Sequence, residues 1–326
     1  MERRILHADF NSFYASVACF LEPKLRPHPV AVAGDPEKRH GIILAKNELA
    51  KKFGVKTGEA VWQARQKCPR LITVAPNFAE YQKFSKLGRE IYHQYSDRIE
   101  GFGPDENWID VSGSAKNFSE AYQLAETIRA RIHTELGITV SVGVAANKVF
   151  AKLGSDYKKP DAVTLISPDN YRERIWPLPA RALLYVGHAT EKKLRQYGIL
   201  TIGELANTPE SFLKAQLGKA GLMLHSFANG RDASPVRLLD DNSAPKSIGN
   251  GVTAPRDLVS DTDVYLTITM LCESISARLR AQNLRARTVQ LSMRDTGLYT
   301  FMRQCRLDPP SFLTGELARA AMALYK

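Results

Sequence analysis

Residues 103–110 read GPDENWID and place two carboxylates, Asp105 and Glu106, side by side within a strand-like run. Adjacent acids repel, so they are either solvated acids at a turn or ligands that share a divalent cation. Successive side chains of a regular strand point to opposite faces, so both acids can serve one site only at a hairpin tip or a bulge. Gly103 and Pro104 predict such a break. On spacing alone, the two interpretations stay open.

A third carboxylate, Asp9, ends the first predicted strand, residues 3–9. Two-metal nucleotidyl transfer requires about three carboxylates that converge on two Mg²⁺ ions. Mg²⁺ prefers oxygen ligands, so a site without His or Cys suits it. Asp9, Asp105 and Glu106 supply that number and that chemistry. Asp110 is either a fourth ligand or a residue that hydrogen-bonds within the strand.

The pattern around these acids predicts alternating strands and helices. Asn11 or Ser12 is expected to cap a short helix after the first strand. Apolar positions recur at near-helical spacing from Ser119 onward and predict a further helix. Other predicted elements are a strand at 29–34, a helix at 43–54 that ends at Gly54, and a strand at 138–145. Such alternation indicates an α/β or α+β layer.

The second half of the sequence has a different character. Residues 168–230 carry short helical patterns, and LLYVGHATEKKLRQYGILTIGELA has the form of a helix-hairpin-helix unit that turns at Gly187. Such a unit presents backbone N–H groups to phosphate without reading sequence. The polar stretch 231–243 lacks periodicity and predicts a linker. Beyond it, the predicted elements are a strand at 246–253, a helix at 262–284, two strands within 285–305 and a helix at 312–326.

Composition favours a protein that binds a polyanion. The 326 residues carry 45 Lys and Arg against 34 Asp and Glu, a net charge of +11, which indicates nucleic acid before acidic membrane. No apolar run approaches the roughly 18 to 20 residues that cross a bilayer, and no signal peptide precedes the first strand. We therefore expect a cytoplasmic protein with no membrane contact. The four cysteines form no C-x-x-C pair, so neither a zinc site nor a disulfide framework is indicated.

Three segments carry a family resemblance. ADFNSFYASV (8–17), FGPDENWIDVSG (102–113) and SVGVAANKVFAKLGSDYKKP (141–160) resemble the signature segments of Y-family translesion DNA polymerases, particularly the DNA polymerase IV branch. They stand in the order and at the spacing of that family. The similarity extends to AKKFGVKTG (50–58) and KSIG (246–249) and so spans nearly the whole chain.

The resemblance implies an α+β multidomain fold of the right-hand polymerase type, with palm, small fingers, helical thumb and a βαββα little-finger domain. The implied boundaries are 1–28 and 78–167 for the palm, 29–77 for the fingers, 168–230 for the thumb, 231–243 for the linker and 244–326 for the little finger. It also implies that the family's little finger continues beyond residue 326 with a strand and a tail that binds the sliding clamp.

The resemblance assigns roles to the acidic residues and their neighbours. It makes Asp9, Asp105 and Glu106 the catalytic carboxylates that hold two Mg²⁺ ions, and the Phe10 carbonyl completes one coordination sphere.

It also assigns nucleotide contacts. Tyr14 matches the steric gate, an aromatic plate under the sugar that leaves no room for a ribose 2′-hydroxyl. The alternative for Tyr14 is a core aromatic residue on a helix, which is otherwise the commoner place of a tyrosine. Phe13 is expected to pack either under the nucleotide or in the palm core. Lys159 matches the lysine that reaches the triphosphate, whereas the adjacent Lys158 is expected to be solvated.

The fingers depart from the family pattern. Where the family usually carries a YEAR-like segment with Tyr and Arg against the triphosphate, this chain has ELAK, so Glu48 and Lys51 occupy those positions. Lys51 keeps a charge but lacks the guanidinium fork, and Ala45 offers no hydroxyl. We therefore predict weaker nucleotide affinity or a different phosphate contact by Lys46 or Lys52.

Contacts to DNA follow from the resemblance in the thumb and the last domain. The implied residues are Gly187, Thr190, Lys246 and Ser247. The usual G-x-G of the hairpin is replaced by YVG, with Tyr185 in the first glycine position. One close backbone approach to phosphate is therefore expected to be lost.

The implied function is template-directed, low-fidelity DNA synthesis, in which a primer 3′-hydroxyl attacks a dNTP and damaged template bases are bypassed. The implied partners are primer-template DNA, dNTPs and a sliding clamp, with the chain itself a monomer. DNA binding without sequence preference should weaken steeply with salt. Alternatives are a nucleotide cyclase, a non-catalytic DNA-binding or scaffolding member of the same family, and a structural DNA-binding protein whose acids are turn residues.

Overall fold

The computed structural model describes residues 2–39, 41–239 and 245–326. By spatial proximity the chain divides into two compact units, Met1–Gly34 with Ile43–Asp241 and Asp35–Ile42 with Asn242–Lys326. The end of the predicted linker and the start of the predicted little finger, residues 240–244, lie outside the described residues. Within the described ranges, no helix has the length and apolarity that a membrane span requires.

The described residues form ten strands. In chain order they are β1 (Ile5–Phe10), β2 (Val30–Ala33), β3 (Ile43–Lys46), β4 (Ile72–Val74), β5 (Ile99–Gly101), β6 (Glu106–Asp110), β7 (Val140–Ala145), β8 (Val163–Ile166), β9 (Ala286–Arg294) and β10 (Thr300–Ser311).

The same residues form thirteen α-helices. They are α1 (Phe13–Leu21), α2 (Glu48–Lys52), α3 (Val61–Lys67), α4 (Phe78–His93), α5 (Phe118–Arg131), α6 (Lys148–Tyr157), α7 (Tyr171–Ile175), α8 (His188–Gln196), α9 (Ile202–Asn207), α10 (Glu210–Leu217), α11 (Lys219–Ala228), α12 (Asp261–Ala281) and α13 (Thr314–Tyr325).

The largest sheet has the strand order β5-β6-β1-β7-β8, with β1 at its centre. β1 runs antiparallel to both neighbours, and its register sets Asp9 opposite Glu106 on β6. Within this sheet, β7 and β8 are the only parallel neighbours, and α6 makes the crossover between them. The predicted α+β layer is therefore confirmed.

Alternation along β1 separates a core face from a polar face. Leu6, Ala8 and Phe10 lie in the main hydrophobic cluster, together with residues of α4 and α5. Because side chains alternate along a strand, His7 and Asp9 face the other way, toward α6. One face of the central strand thus packs in the hydrophobic core, and the other face carries the polar side chains of His7 and Asp9.

Helix α6 packs unusually close to the sheet at Gly143. A Cβ atom at this position would overlap the carbonyl oxygen of Ala151 and the backbone nitrogen of Ser155. Only glycine permits this approach of helix and strand backbones. The height of α6 above β7 is therefore fixed by direct backbone packing.

A second sheet forms the predicted fingers segment, with the order β3-β2-β4. The helix predicted over 43–54 is wrong in its first part, because Ile43–Lys46 is strand β3, paired antiparallel with β2. The helical part is α2, and Gly54 follows its end with a φ of +78°. The pairing with β2 overrides the local helix propensity of this stretch.

The stretch predicted as a helix-hairpin-helix, residues 183–206, contains α8 and most of α9, but no helix precedes Gly187 within it. A short 3-10 turn at Ala180–Ala182 leads into α8, and Gly187 is the N-cap residue of that helix. Tyr185, which stands in place of a glycine, has a left-handed φ of +70°. The chain therefore keeps the turn that a glycine would favour, at the cost of strain on a bulky residue.

The second unit contains α12, the antiparallel pair β9 and β10, and α13. The strand predicted at 246–253 is not formed, since these residues belong to no strand of the structure. The observed order of elements is thus αββα rather than βαββα. β9 and β10 pair with each other, and residues 246–253 pair with neither, because alternation alone does not make a strand.

Candidate active site

The acidic dipeptide lies at a hairpin tip, as the sequence predicted. β5 and β6 are antiparallel, and Phe102 N donates to Glu106 O across the turn at 2.8 Å. Gly103 has a φ of +115°, which only glycine adopts readily. Asp105 lies in the turn, and its carbonyl accepts a hydrogen bond from Phe10 N at 3.2 Å. The tip is therefore attached to the end of β1, directly beside Asp9.

Asp9 is nearly buried and is paired with a lysine. Its Oδ2 lies 2.6 Å from Nζ of Lys159, which also contacts Asp156 Oδ1 at 2.7 Å. Burial raises the pKa of Asp9 above its ordinary value, against the opposing charge of Lys159. For Lys159 the balance is reversed: burial opposes its charge, but Asp9 and Asp156 outweigh burial and raise its pKa.

Glu106 is held on one carboxylate oxygen by two side chains that sequence reasoning missed. Oε2 forms an ion pair with Lys152 and lies 3.1 Å from Nε2 of His7. Burial works to raise the pKa of Glu106, but the contacts with His7 and Lys152 outweigh it and hold the pKa at about 2. Glu106 is therefore ionised at neutral pH.

His7 is completely buried between Glu106 and Ser155, whose Oγ lies 2.8 Å from Nδ1. Burial lowers its pKa. A sequence signal for these residues exists. His7 precedes Asp9 by two positions and so shares its strand face, and Lys152 lies on α6, the helix that packs over that face.

Asp105 behaves differently from its neighbour. Burial, and then the charges of Asp9 and Glu106, raise its pKa to about 6. The negative charges of Asp9 and Glu106 therefore add to burial in disfavouring the ionised form of Asp105. Within residues 2–39, 41–239 and 245–326, no three His, Cys, Asp or Glu side chains converge as a ready-made metal cage. Instead, Asp9 is paired with the ammonium group of Lys159, and Glu106 with that of Lys152.

The donor set nevertheless fits Mg²⁺ in its chemistry. It consists of carboxylate oxygens from two adjacent strands and one hairpin tip, and burial, followed by the charges of Asp9 and Glu106, raises the pKa of Asp105. The predicted fourth acid, Asp110, lies at the far end of β6, where its Oδ1 accepts from Ser112 N at 2.9 Å. That geometry is the hydrogen-bonding alternative.

The predicted aromatic residues lie on α1 and β1. Tyr14 is half-buried and stacks on Tyr81, with ring centroids 3.9 Å apart and an interplanar angle of 9°. Phe13 is 3 % exposed and belongs to the main hydrophobic cluster, which is the core alternative for this residue. The ring of Phe10 is buried against Gly88, where an added Cβ would come within 2.5 Å of it. Tyr81, which supports Tyr14, was not predicted.

The fingers residues form a separate charged group. Lys51 Nζ lies 2.6 Å from Glu48 Oε1, and Lys46 Nζ donates to Thr57 Oγ1 at 2.9 Å. Lys52 is exposed on α2, and Ala45 lies in β3.

The predicted DNA contacts lie at exposed or half-buried positions. Gly187 is exposed, Thr190 is half-buried on the first turn of α8, and Lys246 and Ser247 are exposed in the second unit.

Comparison with known proteins covers almost the whole chain. A model of the impB/mucB/samB family matches residues 8–156, and one of that family's C-terminal domain matches residues 245–326. A model described as the DNA polymerase-iota thumb domain matches residues 183–232.

Individual proteins agree with these matches. A DNA polymerase IV of Acetivibrio thermocellus is 55% identical over 325 residues, which are 100% of this chain and 82% of that protein. A DNA polymerase IV of Pelotomaculum thermopropionicum is 41% identical over 98% of this chain and 79% of its own length. A solved Y-family DNA polymerase chimera matches with a TM-score of 0.89 at 24% identity, over 98% of this chain and 92% of its own.

Proposed function

The chain belongs to the impB/mucB/samB family and is a Y-family DNA polymerase of the DNA polymerase IV type, and from this premise we propose how its residues carry out nucleotidyl transfer. Asp9, Asp105 and Glu106 hold two Mg²⁺ ions, and the Phe10 carbonyl contributes to one of them. The substrates are primer-template DNA and dNTPs. The similar proteins give no support to a non-catalytic scaffolding role.

The observation that carries this proposal is the register of β1 against β6. Asp9 stands opposite Glu106, and the turn that carries Asp105 is bonded to β1 through Phe10 N. Bound Mg²⁺ supplies Lewis-acid activation of the primer hydroxyl and neutralises phosphate charge. The carboxylates that hold it come from neighbouring backbone positions, which limits how far any one of them can move alone.

Lys159 and Lys152 have different roles in this proposal. Lys159 pairs with Asp9 in the metal-free protein and turns to the triphosphate when metal and nucleotide bind. Lys152 stays with Glu106 and, with His7, fixes the orientation of that carboxylate. Lys159 is released because an acid that gains a divalent cation no longer requires an ammonium partner. Lys152 and His7 both contact Oε2 of Glu106, which leaves Oε1 for a metal ion.

The sugar of the nucleotide is read by Tyr14. Its ring rests on Tyr81 in a stacked pair, so it cannot retreat without breaking that contact. A ribose 2′-hydroxyl would meet this fixed ring, whereas deoxyribose would not. Phe13 acts from the core below and keeps α1 in place.

Primer extension tests the function. The wild-type chain is incubated with a primer-template, the four dNTPs and Mg²⁺, beside the Asp105→Ala variant and a wild-type reaction in EDTA. We expect extension only in the first. Extension by Asp105→Ala at the wild-type rate would refute the carboxylate assignment, and no extension by a folded wild-type chain would refute catalysis itself.

The remaining expectations belong to the same proposal. We propose that the chain acts as a monomer in the cytoplasm and that DNA is held through Gly187, Thr190, Lys246 and Ser247. The net charge of +11 supports an electrostatic grip on DNA.

A further inference from the structure

Glu48 is the residue at which the fingers depart most from the family pattern, and one of its carboxylate oxygens has two hydrogen-bond partners. Its Oε1 accepts a hydrogen bond from Ser12 Oγ at 3.0 Å and one from Lys51 Nζ at 2.6 Å. Ser12 lies in the palm, between the strand that ends in Asp9 and Phe10 and the helix that carries Tyr14. One carboxylate oxygen therefore joins the palm loop to the fingers helix.

The palm side of this link is unusual. Ser12 is the N-cap residue of α1, but its φ is +51° and its side chain makes no capping hydrogen bond. A serine at this position usually stabilises the helix by accepting a hydrogen bond from a backbone N–H of the first turn. Here its hydroxyl donates to Glu48 instead. The predicted cap by Asn11 or Ser12 is thus absent, and the serine serves the fingers.

The fingers side is held firmly. Asn47 caps α2 by accepting from Ala50 N at 3.0 Å, and the same oxygen accepts from Val30 N at 3.0 Å. Its amide nitrogen donates to His28 O at 2.8 Å. The backbone before Glu48 is therefore fixed to strand β2. A carboxylate on so rigid a base can hold its partners in one place.

Two ammonium groups lie close to this carboxylate. Burial, and then the charge of Lys51, lower the pKa of Lys46. For Glu48, burial would raise the pKa, but Lys51 and Ser12 outweigh it and lower it. With Glu59, which also acts on Lys46, and Lys67, which pairs with Glu59, the charged groups at this place sum to a formal +1, which favours binding of a further anion.

Lysine needs such help more than arginine does. It is a point charge on a flexible stem, and it loses more rotamer freedom for each hydrogen bond than the planar guanidinium fork. A free carboxylate at this place would repel a triphosphate. When its oxygen accepts hydrogen bonds from Ser12 and Lys51, its negative charge is partly neutralised and repels the triphosphate less.

On the premise of the polymerase function above, we propose that Glu48 is a positioning residue of the nucleotide site. It holds Lys51 against the palm loop at Ser12, so that Lys51 and Lys46 present two aligned ammonium groups to the triphosphate of the incoming dNTP.

The test separates positioning from repulsion by the sign of the effect. In single-nucleotide incorporation, Glu48→Ala should raise the KM for dNTP by about threefold to tenfold and leave kcat close to wild type. Glu48→Gln should recover part of the loss, because its amide oxygen can still accept both hydrogen bonds. An unchanged or lower KM in Glu48→Ala would overturn the proposal.

A double-mutant cycle tests the route. If Glu48 acts through Lys51, adding Glu48→Ala to a Lys51→Ala chain should change KM little. A full effect in that background would overturn the proposal. Glu90→Ala, which removes an exposed ion pair with Lys86 on α4, is the matched control and should leave KM unchanged.

The outcome is distinguishable from failure of the polymerase function itself. Wild-type extension reports on that function alone. Equilibrium binding of dATP with Mg²⁺, measured by isothermal titration calorimetry on the wild-type, Glu48→Ala and Glu48→Gln chains, reports on Glu48 without catalysis. The same order of affinities is expected, and equal affinities would overturn the proposal.

Discussion

The palm and fingers ends of the active site use the same ion-pair chemistry with the roles reversed. In the palm, Lys159 holds Asp9, an acid that is proposed to bind metal. In the fingers, Glu48 holds Lys51, a cation that is proposed to bind phosphate. The side chains of the palm pair are 30% and 9% exposed, and those of the fingers pair 38% and 45%.

The difference in exposure sets the size of the effects. Asp9 is the only buried member of the two pairs, since Lys159 is itself 30% exposed. Solvent screens an exposed pair, which contributes about 0.2 to 1 kcal/mol, whereas removing the partner of a buried charge leaves that charge uncompensated and costs more. Changes at the palm end should therefore have large effects on chemistry, and changes at the fingers end should have small effects on affinity.

The largest effect is expected when the palm loses a carboxylate. Glu106→Gln should slow single-nucleotide incorporation by about 10³-fold, or about 4 kcal/mol, because a metal ligand is lost from the reacting centre. Asp110→Asn is the control on the same strand, since its oxygen can still accept from Ser112 N. Equal losses in both variants would contradict the distinction between the two ends of β6.

The next effect concerns the lysine of the palm. Lys159→Ala should raise the KM for dNTP by about 10- to 100-fold, because a charge-assisted contact to phosphate is removed. Lys158→Ala changes the adjacent exposed lysine and should behave as wild type. Steady-state kinetics of both variants check this, and an effect of Lys158→Ala as large as that of Lys159→Ala would count against the assignment.

A stability measurement sharpens the comparison within the palm. The pKa of Asp105 is raised from 3.8 to about 6, so its ionised form destabilises the metal-free fold above pH 6. This cost is relieved as the pH falls from about 6 to about 4. In EDTA at pH 7, Asp105→Asn should raise the free energy of unfolding by about 1 to 3 kcal/mol, and the gain should vanish near pH 4.

Glu106 gives the opposite sign and serves as the control. Its pKa is lowered from 4.5 to about 2, so its ionised form stabilises the fold above pH 4.5, and that contribution is lost as the pH falls through 2. Glu106→Gln should therefore destabilise the metal-free protein at pH 7. Urea denaturation of both variants in EDTA checks the pair, and shifts of the same sign would contradict the two assignments.

The smallest effect is expected in the fingers. Lys51→Arg restores the guanidinium fork and should lower the KM for dNTP by about twofold to threefold, as an exposed contact allows. Lys52→Arg, on the exposed side of α2, is the control. A KM that rises in Lys51→Arg would indicate that Glu48 and the lysine are adapted to each other.

Much of the site was readable from the sequence because its signals are local. A strand that ends in an acid and a glycine-proline break before two more acids predict their own geometry, and both predictions were correct for β1 and for the hairpin tip. The fold class followed from periodicity and from the family segments. These features depend on short stretches of chain.

What the sequence did not show depends on distant partners. Ile43–Lys46 looks helical by composition, and only its pairing with β2 makes it a strand. His7 and Lys152 look like an ordinary strand residue and a solvated helix residue, until α6 packs over β1 and brings both to Glu106. The role of Glu48 was not visible in the sequence, because it depends on the contact with Ser12, which lies 36 residues away along the chain.

The contact at Gly143 has a consequence for how the chain can vary over evolution. Helix α6 carries Lys152, and Lys159 follows two residues after the end of that helix. The distance of Lys152 from the acids, and the point from which the chain continues to Lys159, therefore depend on the backbone contact of α6 at one glycine. Drift in the outer layers of the domain can therefore accumulate without re-spacing the charges, whereas a single added methyl group at position 143 would displace both together.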